Sequence, residues 1–457
     1  MASTHLSQTI SSSTGKKFTM STWIKKSAND NINQIFHLTS DNNTHNYIDY
    51  ATKSGYGVDF QLKNGSSGTY LRRRTTRLFR DFSGWYHVVI RFDSTQASAG
   101  DRLRIYINGE QATDIDVDGT PDVPQDYVTE FNTNGSSLLI GKNPSGGGYY
   151  FDGLMSHFHL CDGYSYAPTE FGETDSTTGE WKIKTSTSVS YGTNGFFILK
   201  DGNSGTDQSG QGNNLTVSGT LTKTEDCPSN VFATMNPLNK ENGGSTLSLG
   251  NTKLVTTAQG GGPYTGRTIA TLGASSGKYY WEVKPTTTVS STYPVCSVVG
   301  EDFRLDGNTY LSGGSGSQSY ITFKFENGGI ATNFTGSNST TSYGNAVSAN
   351  DIVGVALDLD NGKIFFSING TWQNSGNPAT GAYPASSSVG SLGGDFVFPA
   401  FGDENYSSSA TMYVNFGNGY FGTTAVSSAG TNASNLGIFE YDVPSGYTAL
   451  STKGLNE

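Results

Sequence analysis

The chain has 457 residues, of which 59 are glycine, 12% aromatic and only 15% charged, with a formal net charge of −11. Glycine stands at nearly twice its usual ~7% share, but abundant aromatic residues and a low charged fraction set the chain apart from disordered proteins, and the acidic balance argues against a nucleic-acid or anionic-membrane partner. No stretch reaches the ~20 apolar residues of a membrane span, and no helical pattern is long enough for a coiled coil or helical repeat.

Met1 to Ser13 is polar and lacks the apolar core of a signal peptide. Phe18–Lys25 then alternates apolar and polar residues, as a half-buried strand does. Gly84–Phe92 is a more continuously apolar strand. Asp101–Ile107 alternates strictly and runs into Asn108-Gly109, the strongest short hairpin signal. Ser137–Ile140, Leu154–Leu160 and Gly195–Leu199 complete the first set. Residues 217–244 loosen into Thr, Ser, Asn, Pro and Gly and read as a linker. Beyond it, Lys278–Lys284, Ile352–Asp358, Lys363–Ile368, Phe396–Phe401 and Ala410–Phe416 read as strands, and Asn369-Gly370 repeats the hairpin signal. All six histidines lie in the first half, so the halves differ in chemistry. The expected fold is all-β: two tandem antiparallel β-sandwiches, residues 1–216 and 245–457.

Phe18–Lys25, Trp85–Val88, Leu103–Gly109 and Phe151–Gly163 resemble laminin-G-like jelly rolls of the concanavalin-A-like class. Gly277–Val283, Asp351–Asp360, Gly362–Gly370 and Tyr413–Gly417 resemble a SPRY domain, a second sandwich of that class. Phe171–Asp175, Asp207–Thr216, Cys227–Leu238 and Phe439–Leu450 are similar to segments of structural proteins of marine bacteriophages. The resemblance implies a virion protein with glycan- or protein-binding sandwiches. Laminin-G-like repeats often carry an acidic residue where this chain has Ser156-His157, which removes any metal role tied to that acid.

Several clusters bear on chemistry. Asp114, Asp116 and Asp118 share one strand face, but retaining glycosidases hold unlike carboxyls ~5–5.5 Å apart, which three equivalent Asp do not supply; a solvated edge strand is the plainer expectation. Asp201, Asp207 and Asn213 stand in a Gly-rich loop with oxygen ligands suited to calcium, or in a polar turn closed by its own hydrogen bonds. His157 and His159 share a strand face but lack a third zinc ligand in sequence, and His87 reads as core. Arg72, Arg73, Arg74 and Arg77 suit a sulfated or phosphorylated glycan, or a salt-bridged surface. The three cysteines (Cys161, Cys227, Cys296) are too dispersed for a metal knuckle and read as reduced thiols.

Loop tyrosines complete the candidates. Tyr149, Tyr150, Tyr293, Tyr310 and Tyr406 sit among Gly, Asn and Asp, where a ring takes the C–H face of a sugar while polar neighbours, Arg304 and Asn405 among them, read its hydroxyls. The combined expectation is a phage virion structural protein that acts as a tail-fibre or surface adhesin for host cell-surface glycan. Its partners would be other virion proteins and further copies of itself, with calcium as the one candidate cofactor. The alternatives are a capsid or tail decoration protein held by protein contacts, and a carbohydrate-active enzyme. No phosphate loop or His-Glu-x-x-His motif is present, and the second half holds no histidine, so a binder is expected rather than an enzyme.

Overall fold

The computed structural model describes residues 4–27, 32–40, 46–53, 55–64, 70–144, 149–200, 202, 204–241, 244–258, 266–305, 310–312, 318–405 and 407–456. The chain divides into two units, Met1–Lys223 and Thr224–Glu457. Each is an all-β sandwich.

In the first unit, one sheet has eight strands in the order Ile115–Asp116, Tyr70–Thr75, Tyr56–Asn64, Asn46–Lys53, Ile32–Thr39, Ser137–Ile140, His5–Thr9 and Thr216–Ser218. The other has six: Phe196–Ile198, Gly153–Asp162, Lys17–Lys26, Tyr86–Asp93, Leu103–Ile107 and Glu110–Gln111. Side chains alternate along a strand, so each sheet turns every second residue toward the other sheet. Phe36, Leu38, Ile48, Tyr50 and Phe60 from the first meet Phe18, Met20, Val88, Ile90 and Phe158 from the second.

The second unit pairs a seven-stranded sheet around Pro294–Gly300 and Val397–Asp403 with an eight-stranded sheet around Lys278–Pro285 and Val353–Asp358. Its core joins Cys296, Val298, Ile321 and Phe401 to Trp281, Val283, Val355 and Phe366. Among the described strands the antiparallel expectation holds apart from Thr448–Ala449, which runs parallel to Lys278–Pro285, and a single parallel bridge joins Asn418 to Ile438.

The expected linker 217–244 is instead shared out between the units. Leu6 and His5 pair with Val217 and Ser218 in the first sandwich, and Met235–Lys240 is a strand of the second. Thr and Ser hydroxyls and carbonyls close these edge strands, as in the bond from Thr4 Oγ1 to the Thr220 carbonyl (2.8 Å), so a loose composition does not mark a free tether here.

Both Asn-Gly hairpins form. Asn108 and Gly109 take φ of 49° and 83°, Asn369 and Gly370 take 49° and 78°, the left-handed pair that a two-residue hairpin turn requires. In each case the Asn also fastens a neighbouring strand: Asn108 Oδ1 accepts from His87 N (2.8 Å), and Asn369 Oδ1 from Ile352 N (2.9 Å).

Candidate functional site

A sandwich has outer as well as inner sheet faces, and what lies on the outer faces decides where a ligand can act. On the six-stranded sheet of the first unit, Val89, Tyr106, Cys161 and Phe197 are covered by Phe171 and Tyr191. In the second unit, Tyr280, Ala356 and Phe365 are covered by Phe439, Val443 and Tyr447, and on the opposite sheet Ile269, Val295 and Val299 are covered by Phe303 and Leu311. Three outer faces are thus closed by apolar side chains of the chain itself.

The fourth differs. Across strands 32–39, 46–53, 56–64 and 70–75 the residues opposite one another are His37, Asp49, Gln61 and Arg72. His37 Nδ1 lies 3.0 Å from Asp49 Oδ1, which also accepts from Gln34 Nε2 at 2.6 Å. Arg72 grips Asp59 through two bonds, Nε to Oδ1 at 2.9 Å and Nη2 to Oδ2 at 2.7 Å. Gln61 donates to Asp59 Oδ2 (3.2 Å) and accepts on Oε1 from the hydroxyls of Tyr47 (3.4 Å) and Tyr70 (3.1 Å). His37, Asp49, Asp59 and Gln61 are buried, while Tyr47, Tyr70 and Arg72 are partly exposed above them. Burial raises the phenol pKa of both tyrosines, so both keep their protons at neutral pH. The result is a rigid polar floor under a two-tyrosine rim.

The acidic and basic clusters are one structure. Ile115–Asp116 pairs with Tyr70–Thr75, which sets Arg77 on Asp114 (3.0 Å), Arg74 on Asp116 (2.6 Å) and Asp118 (2.9 Å), and Arg72 on Asp118 (2.9 Å). Asp114 sits below the usual carboxylate range although burial opposes this, because the backbone and guanidinium of Arg77 hold its anion. Asp116 is also lowered, first by the backbone N–H of Asp118 and then by Arg74. Neither can serve as a proton donor near neutral pH.

The calcium-type loop closes on itself. Asp207 Oδ1 accepts from Phe197 N (2.9 Å) and Ser209 N (2.8 Å), and Oδ2 from Ser209 Oγ (2.8 Å) and Asn213 N (3.0 Å). Asn213 Nδ2 donates to the carbonyls of Thr193 and Gly195. All four lone-pair sites of the carboxylate are engaged, so Asp207 does not fit the ligand role; Asn213 spends its amide NH2 on the loop's own backbone, and Asp201 lies outside the described residues. The histidine pair is likewise broken up. A bulge between Ser156 and His159, with His157 at φ 48°, ends the shared face. His159 stacks on Phe197 at 3.8 Å and bonds the Tyr191 hydroxyl at 2.9 Å. His87 is buried: Trp181 Nε1 donates to its Nδ1 (2.9 Å), which leaves Nε2–H for Ser21 Oγ (2.8 Å). Among the described residues no three His, Cys, Asp or Glu are gathered as metal ligands, and all three cysteines are free thiols.

The loop candidates fall in both units. In the first, Tyr149 is exposed, and the Lys142 ammonium lies 5.6 Å over the Tyr150 ring. In the second, Tyr293, Tyr310 and Asn405 converge on Glu404. Glu404 N donates to the Tyr293 carbonyl (3.1 Å), its Oε1 accepts from Leu311 N (3.2 Å), and Asn405 Nδ2 donates to the Ser291 carbonyl (2.6 Å). Beneath them lies Arg267, fully buried, 3.5 Å from Glu241, 3.8 Å from Glu404 and 5.7 Å from the Tyr310 ring. Burial pushes Asp403 and Glu404 up to about 7. Arg304 turns back onto its own loop, donating to the Glu301 carbonyl at 2.6 Å. Tyr406 lies outside the described residues. Sequence reading missed the cluster of Arg267, Glu241 and Glu404, whose members lie far apart in sequence. It also missed the polar floor, although Gly57-Val-Asp-Phe-Gln-Leu-Lys63 alternates at period two and carries the signal of a strand with one polar face.

Two family models match the chain: the Concanavalin A-like lectin/glucanases superfamily over residues 2–170, and the SPRY domain over residues 278–406. None of the curated proteins matches it. The SPRY domain of human HERC1 is 15% identical over 39% of this chain and 96% of that one, with a TM-score of 0.30. The PSpry domain of TRIM65 is 19% identical over 40% and 89%, with a TM-score of 0.28. The heptameric SAP-like pentraxin of Limulus polyphemus is 16% identical over 43% and 89%, with a TM-score of 0.27.

Proposed function

We propose that this chain, which carries a concanavalin-A-like domain followed by a SPRY domain, is a bacteriophage virion structural protein of the tail-fibre or surface-adhesin kind that binds host cell-surface glycan. The observation that carries the reading is the outer face of the first eight-stranded sheet. It is a polar layer of His37, Asp49, Gln61 and Arg72 under Tyr47 and Tyr70, where the other three sheet faces are closed by apolar side chains. Rings beside fixed hydrogen-bonding groups suit a saccharide, which offers a C–H surface and hydroxyls together. The virion assignment draws on the resemblance of Phe171–Asp175, Asp207–Thr216, Cys227–Leu238 and Phe439–Leu450 to phage proteins. Weak single-site binding becomes firm attachment when many copies act from one particle.

The test is retention of the purified protein on polysaccharides from the surface of the host cell. Saturable binding to a few of them is expected. Flat responses to all of them would transfer the chain to the decoration role, with protein–protein contacts as its only function.

A further inference from the structure

We infer that the polar face of the first sandwich selects uncharged polysaccharide and rejects sulfated, phosphorylated or uronate chains. This rests on the glycan-binding reading above and deepens it. The arginine-rich strand, on its own, would favour an anionic ligand. In the fold those charges are already matched: Arg72 with Asp59 and Asp118, Arg73 with Asp122, Arg74 with Asp116 and Asp118, Arg77 with Asp114. An anionic group entering the face would have to compete for Arg72 with Asp59, a carboxylate with no exposed surface that already holds it through two bonds.

The hydrogen-bonding groups that remain suit neutral hydroxyls. Asp59 accepts only, so the Gln61 amide must turn its NH2 to Asp59 and its oxygen to the tyrosines. Tyr47 and Tyr70 therefore both spend their protons on Gln61 Oε1, and each presents an oxygen lone pair to a ligand hydroxyl. His37 adds a second, independent sign. Its Nδ1 lies 3.0 Å from Asp49 Oδ1, and its Nε2 is buried and has no hydrogen-bond partner among the described residues. A ligand hydroxyl or a bridging water would satisfy it. Gln61 thus acts as a positioning residue, and Tyr47 and Tyr70 as the groups that touch the ligand.

The experiment measures binding of the full chain to dextran, mannan, galactan and laminarin, and to dextran sulfate and alginate, at low and high salt. The expected result is binding to at least one uncharged polymer, with affinity changing less than about twofold with salt because no ligand charge is screened. Tyr47→Phe/Tyr70→Phe, which keeps both rings and their packing, should weaken it about tenfold, and Gln61→Leu should do the same. Binding confined to the sulfated or uronate polymers, and weakening with salt, overturns the inference while the adhesin reading stands. Unchanged affinity in the folded double tyrosine variant moves the site off this face and also overturns it. No binding to any of the six polymers or to host surface polysaccharide overturns both readings.

Discussion

The two sandwiches use one backbone device with opposite chemistry. In each, an Asn-Gly hairpin glycine lies flat beneath an aromatic ring of the segment that covers the same sheet. A Cβ at Gly109 would stand 2.6 Å from the Trp181 ring, and one at Gly370 would stand 2.7 Å from Tyr441. What fastens the covering segment differs. In the first unit, Trp181 donates to the neutral imidazole of His87. In the second, the buried carboxyl of Glu282 accepts the backbone N–H groups of Glu440 and Tyr441, both at 2.9 Å, and Asn415 Nδ2 at 3.1 Å. The geometry of a covering strap can therefore be kept while its acceptor changes from a base that must stay neutral to an acid that burial drives toward neutrality.

The sharpest way to break this comparison is Glu282→Ala. It strands two backbone donors and an amide in an apolar surrounding, and should cost about 4 kcal/mol, read by denaturant unfolding of the second unit. A loss below about 1 kcal/mol would mean that Phe439, Val443 and Tyr447 hold the segment unaided. Next come Gly109→Ala and Gly370→Ala, each combining positive φ with a ring too close for a methyl group. About 3 kcal/mol is expected for each, and matched losses would support a shared device.

Acidification should separate the units. Burial first, and the nearby charge of His157 second, lower His87 from 6.5 to about 3. Between these values the unfolded chain binds more protons, so this contribution is complete above 6.5 and is lost as pH falls toward 3. Burial raises Glu282 from 4.5 to about 7, so its contribution is complete below 4.5 and is lost as pH rises through 7. Going from pH 7 to pH 5, the first unit should lose roughly 2 kcal/mol and the second should gain a similar amount. Asp403 and Glu404, also raised to about 7 by burial, add to the second unit's gain. Calorimetry of the intact chain should show two transitions moving in opposite directions, assigned by the variants above; parallel movement would refute the contrast. The smallest effect is that of Trp181→Phe, which keeps a ring over Gly109 and removes the donor. About 1 kcal/mol should be lost from the first unit, as His87 Nδ1 is left without its partner.

Much of the fold could be read along the chain. Strands expected at 18–25, 101–107, 137–140, 278–284 and 363–368 form within a residue or two of their expected ends, because alternation and continuous apolar runs are local signals. The strands over residues 32–75 went unread, and they build the polar face. A bulge between Gln34 and Phe36 breaks the alternation of the first of them. In the others the outward positions carry Asp49, Asp59, Gln61 and Arg72, so their polarity hides a strand whose other face is core. The loop tyrosines were legible as loops, but the buried Arg267 beneath the Tyr310 ring was not.

By itself the sequence determined the class, the two-unit plan and the hairpins, since these follow from spacing between near neighbours and from the left-handed backbone that Asn-Gly permits. Tertiary structure alone decided which charges survive as chemistry. Asp114, Asp116 and Asp118 are some 40 residues from Arg72, Arg74 and Arg77 in the chain, yet one strand pairing cancels the two clusters against each other. The same assembly sets Gln61 between Asp59 and two tyrosines, and so fixes which hydrogen bonds remain to be offered. Local pattern fixes which way a side chain points; only the register of distant strands fixes what it meets there.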